Sequence, residues 1–139
     1  MSKEPKYWKK AKKYLSKKDK VISNLIRNYR SPSEITLTSR KDIFFSLCKS
    51  IIGQQISVAA ANAVFLKFKK KCKKKINPKV VLKLTKTQLR SCGLSRQKIS
   101  GIKNLSKQIL DKSFNPKLIK KMSDEEAINY LSNLKQIGR

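Results

Sequence analysis

Histidine is absent from this sequence of 139 residues, and acidic residues are scarce, with eight Asp and Glu against 35 Lys and Arg. Without histidine the chain has no imidazole base, no Ser-His-Asp triad and no imidazole ligand for zinc. Any chemistry that the chain carries must therefore use a carboxylate, a lysine or a thiol.

Cysteine is sparse as well, with three residues at positions 48, 72 and 92. This spacing contains no C-x-x-C pair, which argues against a zinc ribbon and against an iron–sulfur cluster. An odd number of cysteines without a secretory signal favours a reducing compartment. Because Cys48 and Cys92 stand among apolar neighbours, we expect them to be buried as small hydrophobic residues.

Long apolar runs are missing too, and none approaches the roughly 20 residues that a helix needs to cross a bilayer. Met1 is followed by Ser-Lys-Glu-Pro rather than by the apolar segment of a signal peptide. The sequence therefore predicts a soluble, cytoplasmic protein that has no membrane partner. Its 39% of hydrophobic residues suffice for one core if they are spaced periodically.

The surplus of basic residues gives a formal net charge of +27. Clustered Lys and Arg displace the counterions of a phosphate backbone, so this charge favours a nucleic-acid partner. Lysine supplies 29 of the 35 positive charges, however, and drift towards AT-rich codons would enrich lysine in the same way. Composition alone leaves open whether the lysines bind phosphate or form a solvated face.

Apolar residues recur with helical spacing along most of the chain, and no segment shows the alternation of a strand. The spacing over residues 41–53 predicts a deeply buried helix that Gly53 ends, and Ser57 caps a second helix that runs to Phe68. Further helices are predicted over residues 3–20, 20–29, 79–84, 87–92 and 95–112 and after Ser123, with a loop at 31–40 and a short turn at Pro116. The sequence therefore predicts an all-α fold.

Two charged runs each have a structural interpretation. The run KFKKKCKKK at residues 67–75 is typical of a helix C-terminus, where cations complement the dipole, but it would equally suit contact with phosphate. The three acids at residues 124–126 follow Ser123, and Glu126 completes a capping box with that serine. We interpret these acids as helix caps rather than as catalytic groups.

Three segments carry a shared pattern: LCKSIIGQQISVAAA at 47–61, LRSCGLSRQKI at 89–99 and LKQIGR at 134–139. Their order and spacing resemble the helix-hairpin-helix DNA glycosylases, most closely the DNA-3-methyladenine glycosylase II branch, which acts on alkylated bases. The second segment is similar to a GLS…K turn of that branch, and the third to the first half of its hairpin, L-P-G-I-G-R. The resemblance implies hydrolytic excision of 3-methyladenine-type purines from double-stranded DNA by a monomer that needs no metal or organic cofactor.

The resemblance also implies roles for individual residues. A side chain in the loop after the first core helix fills the gap that a flipped base leaves, and Gln55 holds that position here. Gln54 beside it is expected to support the loop by hydrogen bonding. Both residues would otherwise form an ordinary polar turn.

The hairpin of this family holds phosphate through backbone N–H groups at a glycine-bearing turn. Gly138 fits the second glycine of that turn, and Arg139 fits the basic residue after it. Gln136 replaces the usual first glycine and Lys135 the usual proline, which predicts a less close approach to the DNA backbone.

The catalytic aspartate of the family lies well downstream of the hairpin, where its carboxylate stabilises positive charge on the sugar. None of the aspartates here corresponds to it, so the expected aspartate lies beyond residue 139. We therefore expect residues 41–139 to be an incomplete glycosylase domain that ends inside the hairpin, after lead-in helices and a loop at 1–40. Such a chain would expose apolar surface on its helices over 41–66 and would bind DNA without excising bases.

Two other classes of function remain open at this point. One is a non-catalytic DNA-binding module, and the other is a basic RNA-binding helical protein, for which the lysine runs suffice. A wedge side chain matters for DNA that contains a lesion and not for general phosphate binding, so substitution of Gln55 distinguishes these classes.

Overall fold

The computed structural model describes residues 7–28 and 42–138, and the chain divides into two compact units between Lys41 and Asp42. The first unit contains two helices that pack on each other, α1 (Trp8–Lys18) and α2 (Lys20–Asn28). Asp19 stands between them and accepts hydrogen bonds from two backbone N–H groups of α2, which caps that helix. The loop predicted over 31–40 lies outside the described residues.

The described part of the second unit is also helical. Its elements are α3 (Ile43–Gly53), α4 (Val58–Lys71), α5 (Pro78–Lys83), α6 (Lys86–Arg90), α7 (Arg96–Leu110), a 3₁₀-helix (Pro116–Lys121) and α8 (Asp124–Ser132). No strand occurs within 7–28 or 42–138, and the prediction of an all-α fold is confirmed. None of the helices in these two ranges has the length and apolar character that crossing a membrane requires.

Side-chain caps fix where helices α4, α7 and α8 begin. Ser57 accepts a hydrogen bond of 3.2 Å from the backbone of α4, and Ser95 accepts one of 3.2 Å from the backbone of α7. Ser123 and Glu126 form the predicted reciprocal capping box at the start of α8. These local bonds set the turns that precede α4, α7 and α8.

The core of the second unit forms around α7, which packs against α3, α5 and α6. Ile99, Ile102 and Leu105 of α7 are buried together with Ile51 and Ile52 of α3. Helix α8 is attached to this core through Tyr130, whose ring stacks on Phe114 with 5.1 Å between the ring centroids. The turn that follows α8 is thereby held beside the rest of the unit.

Helix α4 extends further than predicted, because Phe68 and Cys72 are both buried and keep the chain helical beyond residue 68. The lysines at 69–71 therefore form the last turn of α4, where they complement the dipole. On its other face, α4 leaves Val58 78% exposed and Leu66 65% exposed. The expected exposed apolar surface is found on α4, whereas the apolar residues of α3 are buried or half-buried.

All three cysteines are buried and unpaired, as the apolar neighbours of Cys48 and Cys92 predicted. Burial raises the pKa of the Cys72 thiol to about 11 and moves the pKa of Cys48 upward as well. These thiols are protonated at neutral pH and act as small hydrophobic side chains.

Candidate nucleic-acid interface

Three turns that lie far apart in the sequence meet around one cleft of about 290 Å³. They are the turn after α3, the start of α7 and the turn after α8. Each turn lies within one of the three signature segments identified from the sequence. The cleft is lined by Gln54, Gln55, Ile56, Ser95, Gln97, Lys98 and Gln136.

A hydrogen bond joins the first and the last of these turns directly. The Nε2 of Gln54 donates to the backbone carbonyl of Gln136 at 2.6 Å, between residues 82 positions apart. The bond is partly buried, so water competes for it less than it would at the surface. Gln54 thus connects the turn after α3 to the turn after α8.

Gln55 lies at the exposed tip of the turn and has a φ of +54°. A non-glycine residue in this left-handed region is strained by about 1–2 kcal/mol, and such strain persists where the surrounding structure fixes the backbone. The fixed backbone is supplied here by the hydrogen bond of Gln54 on one side and the cap of Ser57 on the other. Gln55 is therefore exposed on a turn whose backbone is fixed on both sides.

Lys98 links the start of α7 to the end of α3. Its Nζ donates to the backbone carbonyl of Ile52 at 2.8 Å, which satisfies a carbonyl in the last turn of α3. The sequence alone assigns this residue no role, although it is the lysine of the GLS…K pattern. The sequence contains the pattern that includes Lys98, but it does not show that Lys98 bonds to a residue 46 positions away.

The turn after α8 keeps the backbone shape that glycine favours despite the substitution at its first glycine. Gln136 has a φ of +70°, and the N–H of Ile137 donates to the carbonyl of Leu134 at 3.0 Å. Leu134 is buried and anchors the turn in the core. Gly101 of α7 lies against Gln136, a close contact that sequence reasoning missed although a glycine inside a helical pattern is a warning sign.

Gly138, a predicted hairpin residue, is not among the residues that line the cleft. Gly138 is exposed, and a Cβ atom added to it would meet no described atom within 4 Å. Arg139 lies outside the described residues. Their roles in DNA binding stay predictions.

No carboxylate among residues 7–28 and 42–138 lines the cleft. Asp42 caps α3, and Asp111 accepts hydrogen bonds from Ser113, which lower the pKa of its carboxyl group. Within the same ranges, no group of three or more Cys, Asp or Glu is placed to hold a metal ion. The cleft therefore offers amides, a hydroxyl and one ammonium group, a set suited to hydrogen bonding with a polyanion or a base edge.

Comparison with known sequences gives three matches of note. The family model described as HhH-GPD superfamily base excision DNA repair protein matches residues 48–137. The alkylbase DNA glycosidase-like protein mag2 of Schizosaccharomyces pombe is 31% identical, over 100% of this chain and 66% of that protein. DNA-3-methyladenine glycosylase 1 of the same organism is 29% identical, over 86% of this chain and 53% of that protein. The chain thus spans about half to two thirds of the length of these curated relatives.

Solved structures show the same fold. The Schizosaccharomyces pombe 3-methyladenine DNA glycosylase Mag1 in complex with abasic DNA has a TM-score of 0.76 and 27% identity, over 94% of this chain and 65% of that one. The DNA-3-methyladenine glycosidase of Bacillus halodurans has a TM-score of 0.70 and 22% identity, over 85% of this chain and 58% of that one. The 3-methyladenine DNA-glycosylase of Archaeoglobus fulgidus has a TM-score of 0.69 and 24% identity, over 99% of this chain and 55% of that one. At these last two sequence identities, the structural similarity shows the fold alone.

Proposed function

Because the chain belongs to the HhH-GPD superfamily of base excision DNA repair proteins, we propose that it forms the DNA-binding part of an alkylated-base glycosylase. The complete protein would flip a 3-methyladenine-type purine out of duplex DNA and hydrolyse its N-glycosidic bond. The observation that supports this proposal best is the meeting of the three signature turns at one cleft, joined by the bond from Gln54 to Gln136.

Gln55 acts in this proposal as the wedge. A base that leaves the stack loses stacking and pairing worth a few kcal/mol, and a side chain inserted into the gap recovers part of that loss. Such a wedge must be exposed and must stand on a backbone that does not yield. Gln55 meets both conditions, since it is exposed and its turn is held at both ends.

The polar groups around Gln55 hold the strands beside the lesion. Lys98 supplies a positive charge in the cleft, and the N-terminus of α7 adds backbone N–H groups that attract phosphate. The turn over 135–138 and Arg139 would contact the backbone on the hairpin side. With +27 net charge, the association is steered electrostatically and weakens as salt rises.

Excision requires a carboxylate beside the flipped sugar, and none of the described residues places one at the cleft. We therefore propose that this chain of 139 residues binds DNA without releasing bases. The complete protein would supply the catalytic aspartate, use no metal or organic cofactor, and act as a monomer on DNA in the cytoplasm.

Fluorescence anisotropy with two labelled duplexes tests the proposal. One duplex carries an abasic-site analogue and the other is intact but otherwise identical. We expect the chain to prefer the abasic duplex, and Gln55→Ala to lower this preference about tenfold, equivalent to about 1.4 kcal/mol. Asn129→Ala removes an exposed amide from α8 and serves as the matched control, which should retain the preference.

Equal affinity of the unmodified chain for both duplexes would contradict lesion binding and favour a general DNA-binding module. Tighter binding to single-stranded RNA than to either duplex would favour the RNA-binding alternative. Release of 3-methyladenine by the purified chain would refute the proposal that it binds without excising.

A further inference from the structure

A second cavity, of about 550 Å³, lies between α5, α6 and α7 and takes no part in the cleft. Leu82 and Ile99 contribute apolar surface to it. The cationic residues that line it are Lys86, Arg90, Arg96, Lys103 and Lys107. We refer to this cavity as the basic groove.

The charge of the basic groove is unbalanced. Five of its described lining residues are cationic and none is acidic. The Nζ of Lys103 is fixed by a hydrogen bond of 3.1 Å to the backbone carbonyl of Leu82, whereas Arg90 and Arg96 are exposed. Like charges around one cavity repel each other, and a bound polyanion removes that repulsion.

Both arginines within residues 42–138 line this groove. The coding bias that explains abundant lysine does not explain why these two arginines line the same cavity. Arginine presents a planar fork of donors that matches two oxygens of a phosphate, so it suits phosphate recognition better than lysine does.

The position of Arg96 is unfavourable for the helix itself. It is the first residue of α7, a helix of 15 residues with no acidic residue in its first turn. A cation there opposes the helix dipole, which favours negative charge at the N-terminus. The lysines at 69–71 show the opposite case, because they lie in the last turn of α4, where the dipole accounts for them. Arg96 has no such structural explanation.

We propose that the basic groove binds the phosphate backbone of duplex DNA outside the lesion. The first turns of α7 connect the two surfaces, since Ser95 and Lys98 line the cleft while Arg96 and Ser100 line the groove. From Arg96 to Lys107 the helix rises about 16 Å at about 1.5 Å per residue. Phosphates of one strand repeat about every 3.4 Å along the duplex axis, so the groove spans several of them. The choice of DNA as the polyanion rests on the proposed function.

The test measures the salt dependence of binding to a long duplex that carries a central abasic-site analogue. The double variant Arg90→Gln/Arg96→Gln removes both guanidinium groups. The matched control, Lys117→Gln/Lys120→Gln, removes two exposed charges from the 3₁₀-helix. We expect the groove variant to lose about tenfold in affinity, and its slope of log affinity against log salt to fall by nearly 2, since each phosphate contact contributes about 0.9. The control should lose less than half of that slope.

A further variant, Arg90→Lys/Arg96→Lys, keeps the charge and should keep most of the slope while binding more weakly, which separates charge from any folding defect. Equal losses of slope in the groove variant and the control would overturn the proposal, as would a loss seen only with duplex RNA of the same sequence.

The two proposals fail in different ways. Groove variants should keep the preference for abasic over intact duplex, whereas Gln55→Ala should lower that preference and keep the salt slope. If the unmodified chain has no abasic preference but the groove variant still loses slope, the groove is supported and lesion recognition is refuted.

Discussion

Gly101 approaches Gln136 so closely that a Cβ atom added to the glycine would lie 2.8 Å from Cγ of Gln136 and 3.1 Å from its Cβ. The backbone oxygen of Lys135 would be 3.4 Å away. The contact between α7 and the turn after α8 therefore depends on the missing side chain at position 101. That contact places the Gln136 carbonyl where Gln54 reaches it.

We predict that Gly101→Ala destabilises the chain. Overpacking at such a contact costs about 1–3 kcal/mol, and over most of this range the cost exceeds the gain of about 1 kcal/mol from replacing a helical glycine by alanine. Urea unfolding followed by circular dichroism measures the difference. In Gly101→Ala/Gln136→Gly the conflicting side-chain atoms are removed and glycine takes the positive φ, so stability should return. A higher urea midpoint for Gly101→Ala alone would show that the turn yields freely.

Substitution of Gln54 should affect the stability of the fold, whereas substitution of Gln55 should affect DNA recognition. Gln54→Leu removes the donor to the Gln136 carbonyl and should lower the free energy of unfolding by about 0.5–1.5 kcal/mol. Gln55 is exposed and makes its proposed contact only with DNA, so Gln55→Ala should stay within about 0.5 kcal/mol of the original chain. Urea unfolding of the two variants side by side checks this, and equal losses would place Gln55 in the fold rather than in recognition.

Lys98→Met is expected to loosen the turn after α3. The substitution keeps an unbranched side chain that is one atom shorter but removes the hydrogen bond to the Ile52 carbonyl, at a cost of about 1 kcal/mol for a half-buried site. Hydrogen exchange of the amides at 52–57 should speed up, because the turn opens more often. Lys98→Arg retains a charged donor and should exchange nearly as slowly as the original chain. Unchanged exchange in Lys98→Met would mean that the bond does not hold the turn.

Alkaline pH should destabilise the chain through its buried thiols. The folded-state pKa of Cys72 is raised to about 11 by burial, while in the unfolded chain it titrates near its ordinary value. Above about pH 9 the unfolded state loses protons that the folded state retains, so stability present below this pH falls as pH rises towards 11. Urea midpoints measured from pH 7 to pH 11 should therefore decrease. Cys72→Ala should show a shallower decrease, and an identical pH dependence in both proteins would contradict the assignment to Cys72.

The helices were predictable because their signals are local. Ser57, Ser95 and Ser123 cap helices within three residues of themselves, and the apolar spacing of 41–53 depends on one helix alone. The apolar spacing predicts the end of α4 at Phe68 rather than at Lys71, because burial of Cys72, a tertiary effect, prolongs the helix. Local rules contain no information about such packing.

The candidate site also combines residues that the sequence identifies with contacts that only the fold shows. Family resemblance identified Gln54 and Gln55, but the partner of Gln54 is 82 positions away and that of Lys98 is 46 positions away. Gly101 has no sequence pattern that names Gln136 as its neighbour. The basic groove was hidden because its lysines look like the other lysines of the chain, and only the fold shows which cations gather with the two arginines.

The hydrogen bond from Gln54 to Gln136 closes a segment of more than half the chain into a loop. Closure of a long loop loses chain entropy that a single hydrogen bond does not offset, so the bond forms only when the intervening core has already brought the ends together. The cleft is therefore complete only in the folded protein. DNA that binds only the finished cleft must also stabilise the native state, and the melting temperature should rise with DNA concentration.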